Sequence, residues 1–508
     1  MQADFSFFHY AILILYVAAS LALGLWFARG QRSAEGYYMA GRSAPWWAAA
    51  ISIISSDITA VSYLGCAALV FTNDLQLLIG TFTLPLAAVF VSVVFVPFLA
   101  RRKAFTVYEF LEQRFGRGVR TMASGLFLLT RGSHLAVALY AAALVTSQVI
   151  GLSLGGCLLL IGGLTTLYTV LGGMKAVLWT DVVQFFVLMG GALAVLAGIA
   201  YQFDWNLAEI WRIASEPVPA GAPWLHGKVE TAGHTRLIDL SINLTQMNLW
   251  AIAISSFLQS IGSYGSDQVL VQRYLSAGSQ RQMVWSLLGG GLLIVPVNML
   301  LFATGVFLVA YYSHFLGSPG HAWVAELTDA NRVMAHFIGH GLPGALGALV
   351  LAGLFAGTMS SFSAGLHSLS TATYADFLAL IRSRRTDDRR DVQVAKRVTA
   401  AWGVAIVGAA LLLGGHDTIF AILAKVMSPF SGPLVGIFLL GMLSRRATTL
   451  GAWGGTLAGA AATVAVTQFT RIHWLWYYVV GSVVTLALGY LLSWIPREAR
   501  ATPPTPGR

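Results

Sequence analysis

Charge is what this chain has least of. Only 10% of its 508 residues are Asp, Glu, Lys or Arg, while 57% are hydrophobic; an ordinary soluble domain carries about 25% charged residues. That deficit excludes a water-soluble globular domain. Cysteine is nearly absent too. Cys66 and Cys157 both lie inside apolar stretches, which excludes a disulfide framework and a cysteine metal set. The opening residues MQADFSFFHYAILILYVAAS lack the basic start of a cleaved signal, so the first apolar run is expected to remain as a helix. No basic module with interleaved aromatics stands apart, which excludes a nucleic-acid reader despite the net charge of +10.

What fills the chain is long apolar runs, and its mean hydropathy is +0.72. About 20 apolar residues cross some 30 Å of hydrocarbon. By that measure the sequence predicts an all-α polytopic membrane protein with thirteen spans, near 9–29, 45–71, 75–100, 119–149, 155–173, 175–201, 242–274, 283–312, 343–376, 395–415, 417–441, 448–466 and 474–494. Lys and Arg gather in alternate loops: 101-RRK-103 with Arg114, Arg117 and Arg120, then 382-RSRRTDDRRDVQVAKR-397, then Arg445 and Arg446. This is the positive-inside pattern. It predicts an N-terminus outside, a cytoplasmic tail at 495–508, and a multi-pass protein of a bacterial inner (plasma) membrane. The longer outside loops, 202–241 and 313–342, are expected to hold short interfacial helices. The whole chain is expected to form one membrane domain.

Ionisable residues inside spans cost roughly 2.5–3.5 kcal/mol at a helix centre and usually meet a cavity or a partner. Six qualify: Asp57, Arg131, His134, Asp181, Asp267 and Lys425. Asp57 lies in 55-SSDITAVSYLG-65, whose polar run and glycine suit a helix interrupted near mid-membrane, where unwound backbone must line a cavity or be buried in protein. There the carboxylate either meets an ion or caps the second half-helix. Asp181 and Asp267 are read either as functional groups or as helix-boundary residues. Arg131 and Lys425 either snorkel or pair with an internal aspartate, or meet an anionic group of a solute. A second polar cluster, 353-GLFAGTMSSFSAGLHSLSTATYAD-376, is rich in the small residues that let helices approach closely. Two hydroxyls and a carbonyl from this helix, with two carbonyls from a broken one, would make a five-oxygen cage for a small cation such as sodium.

At these residues the chain resembles the sodium:solute symporter family. The resemblance is carried by 36-GYYMAGRS-43, 106-TVYEFLEQRFG-116, 172-GGMKAVLWTDVVQ-184, 267-DQVLVQRYL-275 and the stretch GTMSSFSAGLHSLSTATYADF ending at Phe377. It implies a five-plus-five inverted-repeat, LeuT-type core: an extra helix at 9–29, repeats at 45–201 and 242–441, and two further helices in 448–494. It implies a main sodium site from the carbonyls of Ser55, Ile58 and Gly357 with the hydroxyls of Ser360 and Ser361. It also implies a possible second sodium or coupling site at Asp57, Asp181 and Ser363, where Ala364 replaces the second serine of a pair. Solute-lining candidates by the same resemblance are Thr59, Ser62, Leu77, Thr81, Arg131, His134, Asp267 and Lys425. In sialic acid carriers an arginine stands at the position matching His134, so sialic acid itself is not expected; the basic groups favour another organic anion or carboxylate.

The expected function is sodium-coupled import of a small organic solute by alternating access, with sodium ion as cofactor, the solute and the bilayer as partners, and no nucleic acid or obligate protein partner. A sugar, amino acid or other neutral solute is the alternative cargo; a channel or sensor on the same scaffold is the alternative class. An enzyme is not expected: Ser360 with His367, or Asp57 with Asp181, lacks the third orienting group that intramembrane hydrolysis needs.

Overall fold

The computed structural model describes residues 7–28, 33–102, 104–217, 222, 233–318, 320–327, 332–379, 388–413 and 419–495. Within them the chain is helical, with a single bridge between Ala44 and Ala277. The helices are α1 (Phe7–Ala28), α2 (Ala34–Met39), α3 (Trp46–Asp57), α4 (Ala60–Thr72), α5 (Thr83–Val94), α6 (Val96–Arg102) and α7 (Glu109–Phe115). They continue with α8 (Arg117–Ile150), α9 (Leu154–Gln202), α10 (Leu207–Ser215), α11 (Leu249–Gly265), α12 (Gln268–Leu275) and α13 (Gln280–Phe315). The last are α14 (Val333–His340), α15 (Gly344–Thr373), α16 (Asp388–Leu412), α17 (Ile419–Leu443), α18 (Thr449–Phe469) and α19 (Leu475–Leu492). The tail expected at 495–508 lies outside the described residues except for Ile495.

Among the described residues, eight helices are long and apolar enough to cross a membrane, nine when α3 and α4, bent by 56°, count as one crossing. Helix α1, the broken pair α11 and α12, and α17 coincide with three further spans expected from the sequence. The thirteenth is hidden inside α9, whose 49 residues would run about 73 Å as a straight helix. They do not run straight. Tyr168 Oη donates to the Met359 carbonyl at 3.1 Å, and Asp181 accepts from Ser360 Oγ at 2.7 Å. On a straight helix residues 168 and 181 would lie about 20 Å apart, yet they meet adjacent residues of α15. The chain therefore reverses at Gly173, which has φ 56° and ψ −158°, a region open essentially to glycine alone. Its neighbour Gly172 admits no side chain: a Cβ there would sit 2.2 Å from Ala176 Cβ and 2.9 Å from the Gly24 carbonyl.

The loops sort into two ends. At one, Arg114 Nη2 donates to the Ser444 and Arg445 carbonyls, both at 2.8 Å, and Arg42 reaches the Ala104 and Leu275 carbonyls. At the other, Leu75 N donates to Arg236 O and His473 N to Leu244 O. The loops after odd-numbered spans are thus separated from those after even-numbered ones. The two longer loops hold the short helices α10 and α14. Large apolar side chains such as Leu15, Leu412 and Phe469 are 72–86% exposed, a surface suited to lipid.

Candidate functional site

Two spans are broken in the middle of the molecule. Helix α3 ends at Asp57, Ile58 and Thr59 are extended, and the Thr59 hydroxyl accepts from Val61 N and Ser62 N to start α4. In the other, α11 ends at Gly265 and the Asp267 carboxylate accepts from Val269 N at 2.8 Å to start α12. Thr59 and Asp267 are thus the equivalent caps. Asp57 does not cap, which corrects one of its two readings: it still has helical backbone, and a capping residue must be the extended one just before the new helix.

The break in the first pair meets α15. Ser361 Oγ donates to the Ile58 carbonyl at 3.0 Å, and the hydroxyls of Ser55 and Ser360 lie 2.8 Å apart. Gly357 faces the same place: a Cβ there would be 3.6 Å from the Ile58 carbonyl oxygen. The five residues expected to surround a cation are therefore gathered at one spot, from segments some 300 residues apart in sequence. Their oxygens are neutral and hard, the type that suits a cation without d-electron preferences. Among the described residues, no group of three or more His, Cys, Asp or Glu side chains is arranged to hold a metal.

Asp181 is fully buried. It accepts from Ser52 Oγ at 2.5 Å, Ser360 Oγ at 2.7 Å and Ser56 Oγ at 3.4 Å, with Arg273 Nη2 at 3.8 Å. The boundary reading of Asp181 does not hold, because the reversal at Gly173 carries it inward against α15. Ser363 instead donates to the Ser360 carbonyl of its own helix at 3.0 Å. Sequence reasoning missed Ser52, Ser56 and Arg273. The serines were findable, since 52, 55 and 56 share one helical face; the arginine was not, because its partner lies on another span.

Around the two breaks, Arg131 Nη2 pairs with Asp267 at 2.6 Å, the pairing with an internal aspartate foreseen for it. His134 lies one turn further along α8 and feels the charge of Arg131. Asp57 has an accessible side chain and shares the electrostatic surroundings of Arg131 and Asp267. Thr59 and Ser62 are occupied with the cap. Leu77 packs against Ala251 and Ile252, and Thr81 accepts from Asn298 Nδ2 at 3.2 Å, so both are engaged with α11 or α13. Lys425 belongs to α17, but its side chain lies outside the described residues.

His367 does not join Ser360. Its Nε2 bonds the Tyr37 carbonyl at 3.1 Å, and its Nδ1 lies 3.2 Å from Gln272 Nε2. Gln272 also donates to the Tyr38 carbonyl and Thr371, and accepts from Ser368. The histidine is a strut tying the GYYMAGRS motif to α12 and α15, and the serine–histidine pair of a hydrolase is not made.

Known proteins resemble this chain along nearly its whole length. The family model of the sodium:solute symporter family matches residues 37–459. The sodium/sialic acid symporter NanT of Aliivibrio fischeri is 27% identical over 97% of this chain and 94% of its own. SiaT of Proteus mirabilis, also a sodium/sialic acid symporter, is 26% identical over 96% and 95%. A solved Na+-coupled sialic acid symporter, substrate-bound and outward-open, superposes with a TM-score of 0.85 at 25% identity over 96% of this chain and 98% of that one. A nucleobase-cation-symport-1 family transporter shares the fold at a TM-score of 0.56 and 15% identity, over 91% and 94%. With two broken helices, the break in one of them bonded to Ser360 and Ser361 of α15, and a family match over most of its length, this chain belongs to the sodium:solute symporter family and is a multi-pass, sodium-coupled transporter of LeuT-type fold.

Proposed function

We propose that the protein imports a small carboxylate-bearing organic solute, with sodium held by Ser55, Ile58, Gly357, Ser360 and Ser361. The observation that carries this is the contact between the Ser361 hydroxyl and the Ile58 carbonyl at 3.0 Å. A cation taken up there ties the broken span to α15. It favours the outward-facing form because that form alone brings both sets of oxygens together, and a ligand shifts an equilibrium only by its differential affinity. Asp181 already holds three hydroxyls and Arg273, and Ser363 is turned to its own helix; both observations support one ion per cycle.

The repeats run over 45–201 and 242–441, with 9–29 before them and 448–494 after. The thirteen crossings put the N-terminus outside and the Arg114–Arg445 end in the cytoplasm of a bacterial cell, where the membrane potential adds roughly 2.3 kcal/mol per charge per 100 mV to inward sodium movement. Relatives named for sialic acid and the donors of Arg131 support an acidic cargo, while His134 disfavours sialic acid itself.

Proteoliposomes loaded with potassium should accumulate one class of organic acid when sodium is outside. Equal accumulation with choline in place of sodium refutes the reading. In purified protein, Ser361→Ala should raise the sodium concentration for half-maximal thermal stabilisation at least tenfold.

A further inference from the structure

We infer that Asp57 belongs to the solute space and not to the sodium cage, and that the solute it serves carries a cationic amine as well as a carboxylate. The inference rests on the symport reading above. On α3, at about 100° per residue, Ser52, Ser55 and Ser56 fall within an arc of about 100°, and all three face Asp181 or Ser360. Asp57 points about 150° away from the middle of that arc. Bonds join the break in α3 to Ser360 and Ser361 of α15, and Asp57 takes part in none of them.

Its surroundings are the other break. Arg131 and Asp267 are its charged neighbours, and Tyr264 of α11 feels its charge. No hydrogen bond or ion pair reaches the Asp57 carboxylate among the described residues, although its side chain is accessible and protein surrounds it. A carboxylate in that position has no direct ion-pair partner and feels only the field of an Arg131 already paired with Asp267. The carboxyl end of α3, where it sits, adds the negative end of a helix dipole.

Charge balance then selects the cargo. Two carboxylates, Asp57 and Asp267, share the one guanidinium of Arg131, which gives Asp267 a single nitrogen. Its remaining donors suit a carboxylate, which guanidinium binds in a fork. A plain acid would add a third negative charge to a poorly hydrated site, where uncompensated charge is costly. A zwitterion adds none: its acid meets Arg131 and its amine meets Asp57.

Two measurements test this. With Cys66→Ala and Cys157→Ala in place, Ser62→Cys serves as a reporter. Cationic aminoethyl methanethiosulfonate should label it at least tenfold faster than the anionic sulfonatoethyl reagent, after correction for their rates with a free thiol. Asp57→Asn should bring that ratio towards one. A ratio at or below one in the parent, as follows if Lys425 supplies the counter-charge, overturns the inference, and so does a ratio that Asp57→Asn leaves unchanged. Second, sodium-dependent thermal shifts without solute should keep their half-saturation within twofold in Asp57→Asn; a tenfold weakening would place Asp57 in the cage. In the unmodified protein with sodium, equal potency of amino acids and their matched amine-free acids also overturns the inference. Failure of the symport reading shows separately, as no sodium-dependent shift in the parent.

Discussion

The buried Arg273 and Asp181 show what one residue does here. Both are fully buried and 3.8 Å apart, with Ser56 Oγ bonded to each. Removing one partner of such a pair leaves a charge without compensation, at about 3–5 kcal/mol. Asp181→Asn should therefore lower the thermal unfolding midpoint strongly, and Asp181→Asn with Arg273→Met should recover part of the loss. A double variant no more stable than the single would mean that the guanidinium is satisfied without the carboxylate. Asp181 was legible as an ionisable residue inside a span, because cost alone marks it. Its pairing with Arg273 was not: the arginine comes from α12, and no local pattern relates segments so far apart in the chain.

Elements show the same division. The apolar runs and the polar interruptions at 55–65 and 262–268 were readable, since hydrocarbon thickness sets helix length and exposed backbone inside a membrane needs a reason. Which residue caps the second half-helix was not readable, as both Asp57 and Thr59 are good caps and only the backbone angles distinguish them. At the reversal in α9, Gly173→Ala forces a side chain into a glycine-only conformation, costing about 1–3 kcal/mol. Its folded yield in detergent should fall well below that of Gly163→Ala, whose Cβ would meet nothing within 4 Å. Helix α14 offers a pH-dependent case. His336 accepts from or donates to Tyr312 Oη at 2.8 Å and stacks near Trp323 and His340. Burial, and then the neighbouring His340, push its pKa down from 6.5 to about 4, with Glu326 opposing. The folded segment thus binds fewer protons than a locally unfolded one between those values, so this contribution to its stability is complete above about 6.5 and is lost as pH falls towards about 4. Hydrogen exchange across 320–340 should quicken as pH drops from 7 to 5, once intrinsic rates are corrected, and His336→Phe should flatten that dependence.

For the whole molecule, the proposed thirteen crossings would place the Arg445 loop and the His473 loop on opposite sides. An impermeant thiol reagent added to sealed inside-out vesicles should label Arg445→Cys and spare His473→Cys; right-side-out vesicles should give the reverse. Labelling of both from one side would break the topology and the repeat boundaries with it.

The amino-acid order by itself determined that the chain is a multi-pass membrane protein, that its apolar runs are helical, and which two of them break. Each of these follows from local hydropathy, charge and backbone preference, which act over about 20 residues. Only the tertiary structure decided that Arg131 binds Asp267, that Asp181 is enclosed by three serines and an arginine, and that Asp57 takes no part in the bonds joining α3 to α15. Those outcomes depend on how separate spans rotate against each other, and inside a membrane that rotation is set by side-chain packing and pairing across the bundle, which no local pattern along one span encodes.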